Sequence, residues 1–224
     1  LLGGGVTRIG IRSFVFDAAK GFILNGKPYG QLVGANRHQD FAYVGNALPN
    51  SQQWRDAKRL RDAGCTIIRT AHYPQDPSFM DACDELGLFV IVATPGWQYW
   101  NKDPKFAQLV HKNTREIIRR DRNHPSVILW SIGNELAEAK LKDDTGIERA
   151  GMLQDFVHQL DPSRLVMLAL QPGFEDKFAS VTDVLGYNYM EPRLIYDKKK
   201  YPERICLISE SYPYYSSIRE FDSR

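Results

Sequence analysis

A chain of 224 residues, 43% hydrophobic and 25% charged, can bury a substantial core and is too mixed to be fibrous or disordered. Its 29 basic and 27 acidic side chains leave a formal net charge of +2, which gives no footprint for nucleic acid or for a membrane surface. No apolar run reaches transmembrane length and no basic-then-apolar leader opens the chain, so a soluble protein is expected, either cytoplasmic or periplasmic/secreted. Leu1 to Gly5 reads as a cut or processed end.

Residues 6–29 alternate with period two, and Asn25-Gly26 between Phe22-Ile23-Leu24 and Lys27-Pro28-Tyr29 is the strongest short hairpin signal. From Leu32 the pattern changes. A short strand, Leu32 to Asn36, precedes a helix through Trp54, Ala57, Leu60 and Ala63 that Gly64 ends. Thr66 to Thr70 is a β-branched strand, and the helix after it opens with Asp76 as N-cap and Pro77 at its first position. A third strand follows at Leu88–Val92. The next helix shows an inner stripe of Phe106, Leu109, Val110, Asn113 and Ile117.

Val127 to Ile132 is apolar with almost no alternation, as a strand buried on both faces requires. Pro125 marks its start, and Gly133 is expected to turn the chain at its end. A helix through Ile147, Leu153, Phe156, Val157 and Leu160 follows, then strands at Leu165–Leu170, Val181–Tyr187 and Ile205–Ser209. Strands alternating with helices at this spacing describe a parallel α/β fold.

Seven β-α units fit, whereas a closed (β/α)8 TIM barrel takes about 250 residues. The chain stops inside the seventh helix, after Tyr212-Pro213-Tyr214-Tyr215. The expectation is therefore a TIM barrel without its eighth strand in this chain. Residues 1–29 form a β-hairpin and linker, and residues 30–224 a C-terminally incomplete barrel domain. Cys65, Cys83 and Cys206 are an odd, sparse set among apolar neighbours, and read as small buried hydrophobes rather than disulfide partners. The single basic run, Lys198-Lys199-Lys200, reads as a solvated face.

Polar groups gather where strands end. Asn36-Arg37-His38-Gln39-Asp40 follows the first strand of the barrel, and Arg69-Thr70-Ala71-His72-Tyr73-Pro74 closes the second. Asn134-Glu135, Asn188-Tyr189 and Glu210 close three more. In an α/β barrel, that end of the sheet carries the chemistry. Two of these groups are carboxylates, and glycoside hydrolysis needs such a pair: one protonates the leaving oxygen, while the other attacks the anomeric carbon or activates water. Their roles call for different environments. Arg69 is placed to keep one glutamate ionised, and Tyr189 to add a hydrogen bond.

On these residues the chain resembles the catalytic TIM barrel of glycoside hydrolase family 2, the β-galactosidase, β-glucuronidase and β-mannosidase group. The motifs are Gly34 to Asp40, Ile68 to Pro74, Arg120-Asp121-Arg122-Asn123-His124-Pro125-Ser126 through Asn134-Glu135, Asp161-Pro162-Ser163-Arg164 and Ser209-Glu210. Residues 6–29 resemble the end of the preceding β-sandwich domain. The resemblance implies a retaining exo-β-glycosidase with Glu135 as general acid/base and Glu210 as nucleophile, their carboxyl groups about 5 Å apart. It implies Asn134 at the sugar 2-hydroxyl, Arg69 and Tyr189 holding Glu210 as an anion, and His72, His38 and Asp40 lining the glycone pocket.

The resemblance also implies a magnesium site, which two departures bear on. Ala93-Thr94-Pro95-Gly96-Trp97 lacks the acidic, histidine-containing loop of the best-known galactosidases, and Val166 to Gln171 has no acidic residue. No metal or other cofactor is therefore expected. Trp97, Tyr99 and Trp100 offer either an aromatic wall for a sugar ring or packing beneath a loop. The Arg37-His38 pair leans towards β-galactosides, with β-glucuronidase, β-mannosidase or an inactive fragment that only binds carbohydrate as alternatives. The implied partners are a carbohydrate substrate, other domains of the same polypeptide and, for a homo-oligomer, further copies of it.

Overall fold

The computed structural model describes residues 3–4, 6, 9–95, 99–137, 144–174 and 176–211. The chain opens with a small antiparallel sheet of β1 (Phe14–Asp17), β2 (Gly21–Leu24) and β3 (Lys27–Pro28). Asn25 and Gly26 both take positive φ, 51° and 75°, the turn that matches the twist of the strands it joins. Residues 9–13 belong to no strand, so the β pattern read from residue 6 begins later than expected.

Seven parallel strands follow: β4 (Gly34–Arg37), β5 (Ile67–Thr70), β6 (Phe89–Ala93), β7 (Val127–Asn134), β8 (Leu165–Leu170), β9 (Val184–Asn188) and β10 (Ile205–Glu210). Each hydrogen-bonds to the next in chain order, from β4 at one edge to β10 at the other. The helices between them are α1 (Asn50–Asp62), α2 (Pro77–Leu86), α3 (Pro104–Asp121), α4 (Thr145–Leu160) and α5 (Glu191–Lys200). The sheet curls so that its two edge strands approach at their carboxyl ends, where the Asn36 side chain on β4 donates to the Ser209 carbonyl on β10 at 3.0 Å. This is a partial TIM barrel. The seventh helix, in which the chain was expected to stop, falls on residues outside those described.

Burial on two faces explains the unbroken apolar strands. Ile91, Leu129, Met167, Ala169 and Val184 fill the barrel interior, while Val90, Trp130, Val166, Leu168 and Leu185 face the helices. A cavity of about 520 Å³ runs between β4 and β10, from Phe16 and Phe22 to Arg69 and Glu210. The hairpin packs against the other end of the barrel, where Phe22 stacks edge-on against Phe89 at 5.0 Å and against Tyr29 at 5.7 Å. At the start of α2 the Asp76 side chain accepts from Ser78 N at 2.8 Å, and Gly87 at φ 69° ends the helix.

Three expectations are corrected. Leu109 is half exposed, because the buried arc of α3 runs through Val110, Thr114, Ile117, Ile118 and Asp121. The strand expected at 181–187 begins at Val184, because Asp176–Ser180 forms a short 3-10 turn with Phe178 and Ala179 buried. Asp183, just before that strand, accepts from Val166 N and lies 2.8 Å from His158. Gly133 does not make the turn: β7 runs through it to Asn134. A Cβ there would lie 3.0 Å from Leu168 and 3.1 Å from Leu136, so glycine serves close packing at this position.

Of the cysteines read as buried, Cys83 is buried, while Cys65 and Cys206 are half-buried and pack against the core. All three are free, and burial pushes each thiol upward in pKa. The lysine run closes α5, where Lys198 Nζ donates to the Pro202 and Arg204 carbonyls.

Candidate active site

The carboxyl ends of the strands converge on one guanidinium. Arg69, on β5 and 4% exposed, donates through Nη1 to Glu210 Oε1 at 2.9 Å and to Asn36 Oδ1 at 3.2 Å. Its Nη2 donates to Asn134 Oδ1 at 2.7 Å. Burial lowers the Arg69 pKa, and the charges of Glu210, Glu135 and Tyr189 oppose that loss. One cation thus feels both carboxylates.

Tyr189 Oη donates to Glu210 Oε2 at 2.5 Å, and Tyr189 N to the Glu210 carbonyl at 2.8 Å. His72 Nε2 lies 3.5 Å from Glu210 Oε1. Burial and the neighbouring Arg69 lower the His72 pKa to about 4, so near neutral pH the imidazole carries no charge. Glu210 is held by one cation, one phenol and a neutral ring.

Glu135 receives a different partner. Asn188 Nδ2 donates to Glu135 Oε1 at 3.0 Å and to Asn134 Oδ1 at 3.0 Å. The Glu135 backbone N–H donates to the Ala169 carbonyl at 2.8 Å, and Gln171 Nε2 donates to the Glu135 carbonyl at 3.1 Å. The two carboxylates therefore sit in unlike surroundings, as an acid and a nucleophile require.

The backbone aims these groups. Glu135 and Tyr189 both leave their strands in the left-handed region, at φ 52° and 58°, which costs a non-glycine residue about 1 kcal/mol or more. Register irregularities precede Asn134 on β7 and Glu210 on β10. Such bulges re-aim the side chains that follow them.

Of the residues named from sequence, Arg69, Asn134, Glu135, Tyr189, His72 and Glu210 come together. His38 is exposed, with its ring 5.7 Å edge-on from that of His72, and Asp40 is exposed in the loop beyond. Trp97 lies outside the described residues. Trp100 packs against α3 and α4, 5.3 Å from Phe106 and under the Arg149 guanidinium at 4.9 Å, while Tyr99 is exposed. Arg37 turns away from the mouth into the seam between α1 and α2. There it donates to Gln53 and Asp56, each at 2.8 Å, and lies 4.0 Å over the Phe79 ring.

Asn36, Asn188 and Ser209 belong to the network too, although the sequence places them at strand ends without giving them a role. Their position at strand ends was the signal that could have found them. Among the described residues, the grouping of potential metal ligands is Asp81, Asp84 and His124. It lies at the opposite end of β7, where Asp84 and His124 already satisfy each other at 2.6 Å.

Comparison with known proteins places this geometry among relatives. The family model described as "Glycosyl hydrolases family 2, TIM barrel domain" matches residues 17–210. A β-galactosidase of Thermoanaerobacterium thermosulfurigenes is 40% identical over 158 residues, 70% of this chain and 21% of that protein. Human β-glucuronidase is 33% identical over 192 residues, 80% of this chain and 28% of the relative. The crystal structure of a glycosyl hydrolase family 2 member from Bacteroides cellulosilyticus superposes with a TM-score of 0.83 at 36% identity. It covers 91% of this chain and 28% of that one. This chain spans about a quarter of the length of the relatives it matches. Among the described residues, no helix is long and apolar enough to cross a membrane.

Proposed function

The chain belongs to glycosyl hydrolase family 2, and from that premise we propose that it is the catalytic barrel of a retaining exo-β-glycosidase acting on terminal β-galactosides. The reading rests on one observation above all: Glu135 and Glu210, 75 positions apart in sequence, both act on the buried Arg69 charge yet have different hydrogen-bond partners.

The reaction follows from those partners. A Glu210 carboxylate oxygen forms a bond to the anomeric carbon as the bond from that carbon to the leaving oxygen breaks, and Glu135 gives that oxygen its proton. A glycosyl ester on Glu210 results. Water then attacks the same carbon, Glu135 takes the water's proton, and the ester bond breaks to restore Glu210. Retention requires the carboxyl groups about 5 Å apart. With its Oδ1 engaged by Arg69 and Asn188, Asn134 keeps its amide N–H groups for the sugar 2-hydroxyl. His72, with His38 and Asp40 nearer the rim, lines the sugar side. Residues 1–29 then form the tail of a preceding β-sandwich domain of the same polypeptide.

A β-glucuronidase is the second reading. It is favoured by the human relative and by Arg37, which is buried between helices and leaves the Arg37-His38 motif without a specificity-determining arginine. A panel of aryl β-galactosides, β-glucuronides and β-mannosides given to the full-length protein decides between them. The matching 2-deoxy-2-fluoro glycoside should add one glycosyl mass at Glu210, and azide should restore turnover to Glu135→Ala. No turnover on the panel together with no label at Glu210 would defeat the proposal and leave carbohydrate binding alone.

A further inference from the structure

The Asn188 amide is wholly buried and spans both halves of the site, and its orientation follows from donor chemistry. Arginine has only donors, so the Asn134 atom 2.7 Å from Arg69 Nη2 is the oxygen. The Asn188 atom 3.0 Å from that oxygen must then be the amide nitrogen. Its second hydrogen goes to Glu135 Oε1, also at 3.0 Å. The Asn188 oxygen is left facing Ser209 Oγ at 2.6 Å, so the serine hydroxyl donates. Every hydrogen-bonding position of this amide nitrogen is committed, and Ser209 sets which way the amide faces.

The serine has a seat of its own. A Cβ at Gly186 would lie 2.6 Å from Ser209 Oγ and 3.1 Å from its Cβ. The glycine on β9 is thus the space into which the β10 hydroxyl turns. Asn188 and Ser209 also immediately precede Tyr189 and Glu210, so the relay is built into the same strand ends that deliver the nucleophile.

Resting on the reading of Glu135 as the acid/base, we propose that Asn188 is the positioning residue that aims the Glu135 carboxylate, with Ser209 fixing the orientation of its amide. Glu135 stands on a left-handed backbone position at the exit of β7, and Asn188 reaches it from β9. Misplacing an acid by about 1 Å can cost roughly 100-fold in rate. A donor to a carboxylate also favours its charged form, so removing that donor should extend acid catalysis to higher pH. Among the described residues, the other titratable groups of the mouth are Arg69 on β5 and His72 just after it, Tyr189 after β9, Glu210 on β10 and, nearer the rim, His38 and Asp40, and the test leaves them unchanged.

The test uses the full-length enzyme with paired phenyl and 2,4-dinitrophenyl β-glycosides of the sugar it hydrolyses. The phenyl leaving group needs the acid and the dinitrophenyl group does not. Asn188→Ala should lower kcat/KM roughly 30- to 100-fold on the phenyl glycoside and far less on the dinitrophenyl glycoside. The basic limb of its pH profile on the phenyl glycoside should move upward. Ser209→Ala should shift both readouts in the same directions by a smaller amount, and it carries the test alone if Asn188→Ala does not fold. Equal losses on both leaving groups with an unmoved pH limb would make the relay structural and overturn the proposal. A wild type inactive on every aryl β-glycoside and unlabelled at Glu210 would instead overturn the glycosidase reading beneath it.

Discussion

Two buried arginines mark the two ends of this barrel, and they are satisfied very differently. Arg164, beneath β8, donates through Nε to the Val127 carbonyl at 2.8 Å, through Nη1 to Asp161 at 2.7 Å and through Nη2 to the Arg122 carbonyl at 2.8 Å. Asp161 is fully occupied in turn. Burial works against its charge, but Ser163, Trp130 and Arg164 outweigh that and hold its pKa below the usual carboxylate value. Arg69, at the mouth, donates to the side chains of Glu210, Asn36 and Asn134, and its Nε meets no acceptor among the described residues. One end closes loops over a core. The other keeps charge and hydrogen-bonding capacity for a reaction, as the division of labour in such barrels predicts.

The contrast can be broken by substitution. The largest effect should come from Glu210→Gln, which keeps the shape of the mouth and removes the charge proposed to attack. Turnover of the preferred aryl glycoside should fall by roughly 10⁴-fold or more, with the thermal unfolding midpoint little changed. Activity within tenfold of wild type would end the assignment of that residue.

The same conservative change at each arginine gives the sharpest comparison. Arg69→Lys loses the forked contact that holds both Asn134 and Glu210, and kcat/KM should fall about 100-fold. Arg164→Lys forfeits hydrogen bonds to two carbonyls and a carboxylate, and urea unfolding should show a loss of about 2–3 kcal/mol at about one per bond. Its activity per folded molecule should stay unchanged. If Arg164→Lys lowered kcat/KM as Arg69→Lys does, the two ends would not be separable.

The smallest effect belongs to His124, which shares the amino-terminal end with Arg164. Its hydrogen bond to Asp84 outweighs burial and raises its pKa. A raised folded-state value means that the charged contact contributes fully below pH 6.5 and fades as pH climbs through the folded-state value. His124→Ala should therefore cost about 1 kcal/mol near pH 5.5 and less near pH 8.5, read by denaturant titration at both. A gap that widened with pH would have the wrong sign for this linkage.

Much of this was legible in the chain as written. Unbroken apolar runs such as Leu165–Leu170 gave strands buried on both faces, Asp76-Pro77 gave a helix start, and polar residues after successive strands gave a mouth. These are local rules of period, capping and strand direction, and they need no partner to be read. The rotation of α3 that exposes Leu109 was not legible, because which residues of an amphipathic stripe face inward depends on what the helix packs against. Nor was the direction of Arg37, which α1 and α2 draw away from the mouth although its neighbour His38 stays at the rim. The relay from Ser209 through Asn188 to Glu135 lay furthest out of reach. Its contacts join strands distant in sequence, and they depend on bulges, two left-handed residues and a side-chain-sized gap at Gly186. Sequence fixes which groups stand at strand ends; curling of the sheet decides which of them touch.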